Sequence, residues 1–158
     1  MLKKRFIKIL ISIVICVAVG AFAAMYTQST VNTWYPTLNK PFFNPPNWLF
    51  APVWTFLYIL MGIALGIVWS KGFYDKRVRT ALYFFALQLI LNAGWSVLFF
   101  GLKQPFWALV EIIALFIVLL FTYRRFKVVD KRAAYLLIPY IAWVAFATAL
   151  NFEIWRLN

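Results

Sequence analysis

The sequence predicts an all-α integral membrane protein, a bundle of five transmembrane helices. Three observations carry this. The 158 residues are 65% hydrophobic and only 13% charged, with a mean hydropathy of +0.84. Five apolar runs each come near the ~20 residues that a helix needs to cross a bilayer. The charges cluster between those runs. A soluble domain of this length carries more charge. Open strands cannot satisfy their backbone in lipid, so the runs are expected to be helices. The expectation is one membrane domain over 1–158, with no separate soluble part.

The runs fall at about 6–26, 48–70, 81–101, 106–123 and 133–154. Their linkers are short, so sequential helices are expected to be antiparallel neighbours. The first run follows Lys3, Lys4, Arg5 and Lys8 and ends near Ala21-Phe22-Ala23, which looks like a signal peptide with a small-residue cleavage site. It is longer than a usual signal core, however, and Gly20 and Ala24 form a small-xxx-small pair suited to helix packing. A retained first helix is the expectation.

Between the first and second runs lies a loop, 28–47, holding Pro36, Pro41, Pro45 and Pro46. Each proline ring fixes φ and removes a donor, so the loop is stiff. Trp34, Tyr35, Phe42 and Phe43 make it aromatic, and Trp48 follows at its join with the second run. It reads either as a lid over a site in the bundle or as an interfacial loop with its rings at headgroup level. The lid residues would be Trp34, Tyr35, Pro41, Pro45 and Pro46.

Charge orients the chain. Thirteen of the sixteen basic residues sit at the N-terminus and in the second and fourth linkers; Lys40, Lys103 and Arg156 are on the other side. The positive-inside rule puts the N-terminus in the cytoplasm and the C-terminus outside; the composition of the linkers and the N-terminus suggests a bacterial cell membrane. The net charge of +12 is thereby accounted for by anionic lipid, not nucleic acid.

Ordinary polar catalysis has little to work with. There is no histidine, one cysteine (Cys16) and four acids, Asp75, Glu111, Asp130 and Glu153. That excludes His-based triads, a disulfide framework and a metal cluster, and no phosphate loop is present. No catalytic residue, metal or required cofactor is expected.

The polar and aromatic residues within the runs are more informative. Trp54, Tyr58, Met61 and Leu65 share one face of the second helix. Gln88, Asn92, Trp95, Ser96 and Phe99 form a stripe on the third. Amides in lipid are costly, so Gln88 and Asn92 should face the interior, as interhelical bonds or as ligand contacts. Trp107 and Glu111 lie one turn apart on the fourth helix; Glu111 is a functional candidate, or a protonated or bonded acid. On the fifth, Pro139, Trp143, Ala147 and Asn151 follow at i+4 steps. Pro139 frees a carbonyl and can kink the helix, and Ala147 leaves space beside Trp143. Trp54, Trp95, Trp107 and Trp143 can then face one interior. Such a pocket suits a flat polycyclic ligand, though indoles also serve as core filler.

These residues resemble the translocator protein family, also called tryptophan-rich sensory proteins or peripheral-type benzodiazepine receptors. The matching stretches are Trp34-Tyr35, Asn39-Lys40-Pro41, Asn44-Pro45-Pro46-Asn47-Trp48, Ala51-Pro52-Val53-Trp54, Leu91-Asn92, Trp95, Phe99-Phe100-Gly101, Trp107-Ala108-Leu109 and Pro139-Tyr140-Ile141-Ala142-Trp143 through Ala147, Leu150-Asn151-Phe152 and Arg156. They run in order from Trp34 to the C-terminus. The resemblance implies a five-helix bundle, usually a homodimer, binding porphyrins, sterols and benzodiazepine-site ligands beneath the first loop. Carried over by position, Trp54, Asn92, Trp95, Trp107 and Trp143 line the cavity, with Ala147 and Leu150 beside it; Tyr58, one turn from Trp54 on the same face, joins the expected ligand-binding set. The resemblance also raises light-driven porphyrin breakdown, in which Trp54 and Trp143 would matter, and a third role in modulating a partner protein. The animal sterol pattern has Tyr where this chain has Phe152, between Leu150 and Arg156. The missing hydroxyl argues against high-affinity sterol binding.

Overall fold

The computed structural model describes residues 2–158. Helix α1 spans Leu2–Thr30, α2 Phe50–Trp69, α3 Lys76–Ser96, α4 Pro105–Val129, α5 Lys131–Leu136 and α6 Ile138–Leu157. Together α5 and α6 form one span. Among the described residues, five spans are long and apolar enough to cross a membrane, and there is no strand. The helices overrun the hydropathy limits because polar or charged ends continue the same backbone into the headgroup zone. Thus α1 reaches Thr30 rather than residue 26, α3 starts at Lys76, and α4 runs to Val129.

Helix ends follow local chemistry. Asp75 and Asp130 precede α3 and α5, and each carboxylate accepts a backbone N–H two residues on, from Arg77 and Arg132, at 2.9 Å. Proline stands in the first turn of α4 and α6, where no amide donor is missed. The fifth span is interrupted at Leu137, in the turn before Pro139, where the proline has no N–H to give. The α2–α3 turn passes through Gly72 at φ 102°, a conformation open to glycine.

The contacts set the order of the spans around the bundle. Span 1 packs on span 2, span 2 on the fifth, the fifth on span 4, span 4 on span 3, and span 3 closes on span 1. The short α2–α3 linker therefore joins helices that touch only lightly, contrary to the expectation for sequential neighbours. The tightest seam is α1–α2. Gly62 and Gly66 of α2 lie against the backbone of Ile13 and Ile9 of α1, with no room for a Cβ. This glycine pair, four apart, allows near backbone contact where lipid offers no hydrophobic drive to association.

Helix α3 ends in a π-helical turn, Val97–Gly101, in which Leu102 N–H reaches Val97 O at 2.8 Å. The extra residue rotates the chain so that consecutive Phe99 and Phe100 are both buried. Thr30, at the end of α1, donates to Phe100 O at 2.9 Å and ties the turn to α1.

Candidate functional site

The 31–46 segment closes one end of the bundle. Short 3-10 turns stand at Tyr35–Thr37, which contains Pro36, and at Asn47–Leu49, just after Pro45 and Pro46. Tyr35 is buried against Phe50, Phe99 and Phe100, with centroids 5.6–6.1 Å apart. Its hydroxyl donates to Asn44 Oδ1 at 2.5 Å. Trp34 packs edge-on to Phe99, and Phe43 to Phe146. Pro45 is buried, Pro41 half-buried and Pro46 exposed. Across the segment, Asn39 N–H donates to Asn158 Oδ1 at 3.1 Å, and Asn158 Nδ2 returns a bond to Asn39 O at 2.8 Å. The loop is thus a fastened cap held by rings and by the C-terminal residue.

Beneath it lies a cluster of indoles centred on Trp54. Its ring stands 5.7 Å from Tyr58 and 6.4 Å from each of Trp95, Tyr140 and Trp143. Trp95, Trp143, Ala147 and Leu150 line one pocket with Trp54, and its free volume is only about 10 Å³. That is room for a single water; the rings fill their own cavity.

The open space is next door. A cleft of about 180 Å³ lies between α1 and α2, under the cap. Gly20, Ala23 and Ala24 form its α1 wall, Phe50, Trp54 and Tyr58 its α2 wall. Thr27, Gln28 and Asn47 put polar groups at its capped end. Ala21, Ala24, Ala51 and Thr55 are exposed, so the cleft opens sideways onto the outer face of the bundle. Phe50 and Trp54 belong to both compartments and divide them.

Behind Trp54 runs a buried polar chain. Tyr58 hydroxyl donates to Asn92 Oδ1. Asn92 Nδ2 donates to Tyr140 hydroxyl at 2.8 Å, which donates to Gln88 Oε1 at 2.7 Å. The amides face inward, and both serve as interhelical bonds; Asn92 stands behind the cleft rather than in it. Gln88 Nε2, both Glu111 carboxylate oxygens and Trp143 Nε1 are buried without partners. Glu111 lies 3.3 Å from where a Cβ on Gly94 would stand, at the α3–α4 seam.

Two expectations are corrected. Trp107 does not face the interior; it is 57% exposed and packs on Phe106. The inward stripe of α4 is Ala108, Ile112, Leu115 and Leu119, which turns Trp107 outward. Nor do Leu150, Phe152 and Arg156 converge. Leu150 is buried, Phe152 faces outward onto Trp155, and Arg156 pairs with Glu153. Residues two apart on a helix point to opposite sides. The small-residue wall of α1 is the main feature that sequence reading missed, although Gly20 and Ala24 belong to it.

The sequence model of the TspO/MBR family matches residues 12–156. The chain belongs to the TspO/MBR family. Among its relatives in that family, Tryptophan-rich protein TspO of Archaeoglobus fulgidus is 47% identical over 153 residues, 96% of this chain and 97% of that protein. Tryptophan-rich protein TspO of Chlorobaculum tepidum is 43% identical over 157 residues, 99% of both. The Translocator protein of Bos taurus is 39% identical over 140 residues, 88% of this chain and 83% of its own length. TspO/MBR membership and five spans make this an integral membrane protein.

Proposed function

We propose that this TspO/MBR protein binds flat, hydrophobic polycyclic ligands, porphyrins first among them, and hands them on or reports them across the membrane. The observation that carries this is the α1–α2 cleft. Its small-residue wall faces an aromatic wall about Trp54 and Phe50, and its side opens where lipid would lie. A planar apolar molecule can slide in from the bilayer and stack on Trp54, with polar substituents meeting Thr27, Gln28 and Asn47 under the cap. The charge bias supports an N-terminus on the cytoplasmic side and a capped end outside. The chain would work as a homodimer with porphyrin as ligand, not as resident cofactor.

The test is a dark titration of purified protein with protoporphyrin IX, read by tryptophan fluorescence quenching. Ala24→Leu and Ala51→Leu fill the cleft from opposite walls without touching the indole cluster. Saturable binding that weakens about tenfold or more in either variant supports the reading. Non-saturable quenching, the same in all three proteins, overturns it. A light-driven reading rests on the 6.4 Å contact of Trp54 with Trp143; illumination yielding no new product would remove it while leaving binding intact.

A further inference from the structure

We infer that the end of the bundle opposite the cap carries a site for an anionic phospholipid, in the groove between α3 and α4. The groove is independent of the cleft. Lys76, Arg77 and Thr80 of α3 and Arg125 and Val128 of α4 enclose a pocket of about 150 Å³. Three cations line it and no carboxylate does. Asp75 occupies Arg77, at 2.9 Å. The other acid at this end, Asp130, is taken by Arg132 and Lys71. Lys76 and Arg125 are left without an anionic partner.

The residues below the pocket indicate what kind of anion fits. The antiparallel helices continue with Phe84 one turn beyond Thr80, and Phe121 one turn before Arg125. Their rings stack at 5.9 Å and 25°. The Arg125 guanidinium sits over Phe84, 5.8 Å from its centroid, which pins the charge at the edge of the aromatic strip. Leu87 and Ile117, each about half exposed, extend the strip toward the middle of the span. A basic pocket at the membrane boundary thus leads into an apolar, lipid-facing groove. A phosphate headgroup suits the first and an acyl chain the second. Free phosphate would use only the pocket, and a soluble acidic protein could not use the strip at all. Basic pockets between spans are suited to anionic lipid in this way.

The test is native mass spectrometry of the detergent-solubilised protein titrated with phosphatidylglycerol, with phosphatidylcholine as comparison. Each basic residue at a membrane surface is worth roughly fivefold, so Lys76→Gln with Arg125→Gln is expected to weaken phosphatidylglycerol binding about thirtyfold. Arg124→Gln with Lys127→Gln removes equal charge from the same helix end outside the pocket and should change it less than about threefold. Phe121→Ser should also weaken the lipid, and both single charge variants are read in case the double variant unfolds. Equal losses in the two double variants would reduce the site to diffuse surface charge and overturn the proposal. So would phosphatidylcholine binding as tightly as phosphatidylglycerol. Displacement of the lipid by equimolar inorganic phosphate would overturn the acyl-chain part and leave a free-anion site.

Discussion

Trp95 gives its indole N–H to Asn151 Oδ1 at 2.9 Å, and Asn151 Nδ2 passes on to Pro105 O at 2.8 Å. One amide therefore ties α3, α6 and the first residue of α4 together, at the edge of the indole cluster. Asn151→Ala would orphan the Trp95 donor and take the second bond from Pro105 O, which keeps its intrahelical partner as the first residue of α4. Buried groups left unpaired cost ~1–3 kcal/mol each, although membrane interiors return smaller values, averaging about 0.6 per bond. The expected loss is about 1–2 kcal/mol, read as a lower midpoint in thermal or denaturant unfolding in detergent. A midpoint unchanged within error would mean that water replaces the amide.

The Tyr58–Asn92–Tyr140–Gln88 chain makes an ordered prediction. Tyr140→Phe removes both a donor to Gln88 and an acceptor for Asn92. Tyr58→Phe removes only the donor to Asn92. The first should therefore destabilise more, by about 1 kcal/mol on membrane-protein scales. Tyr58→Phe with Asn92→Ala should cost less than the sum of the singles, because they share a bond. Additive losses would mean that the pair is not coupled.

Gly62→Ala and Gly66→Ala put a methyl into the backbone of Ile13 and Ile9, where no side chain can swing aside. Overpacking of this kind costs about 1–3 kcal/mol. Gly20→Ala meets only the Tyr58 ring, a side chain that can turn, and should cost less. Unfolding midpoints for the three variants, measured side by side, decide the ranking. A Gly20 variant worse than Gly62 would show the Tyr58 ring to be more rigidly held than the α1 backbone.

Asp130 sets a pH dependence. Its burial pushes the carboxyl up, but hydrogen bonds from the Arg132 side chain and backbone, the Arg132 charge and Lys71 outweigh this and hold it at about 2, against 3.8 in a free chain. A lowered folded-state value stabilises above pH ~4, and that contribution is lost as pH falls from about 4 toward 2. The side chain is 8% exposed, and the shift from 3.8 to about 2 is worth at most about 2.5 kcal/mol. The stability difference between wild type and Asp130→Asn should be constant near neutrality and shrink below pH ~4. A difference independent of pH would remove the carboxylate from the account.

The spans were legible because length and hydropathy need no tertiary information, and Gln88 and Asn92 could be faced inward because lipid penalises an amide. Trp107 could not be faced. On a helix apolar all round, the lipid side and the core side carry the same residue types, so Trp107 and Ala108 differ by no readable signal. The Gly62-x-x-x-Gly66 pair is visible in the sequence, but its partner is not. Nor does composition reveal an i→i−5 turn, so the shared burial of Phe99 and Phe100 emerges only in three dimensions. The cluster of Trp54, Trp95 and Trp143 follows from helix-face reasoning. Its tightness does not, because free volume depends on how the rings interlock.

Trp143 differs from Trp95 in one respect: its buried Nε1–H has no acceptor. Asn151 Oδ1, two turns further along the same helix, accepts from Trp95 instead. Trp143→Phe should therefore cost less stability than Trp95→Phe, which frees the Asn151 acceptor. The same unpaired donor makes a prediction about ligands. A polycyclic molecule that displaces Trp54 and reaches the inner pocket gains by presenting a carbonyl or carboxylate to this N–H. Protoporphyrin IX, with its propionates, should bind wild type about fivefold or more tighter than octaethylporphyrin, on the order of 1 kcal/mol for a recovered hydrogen bond. With the propionates at Thr27, Gln28 and Asn47 the preference survives in Trp143→Phe; the part of it that Trp143→Phe removes measures how far the ligand reaches past Trp54 to this N–H. If the preference persists in full, the propionates are read elsewhere, with the polar groups at the capped end of the cleft the next residues to substitute.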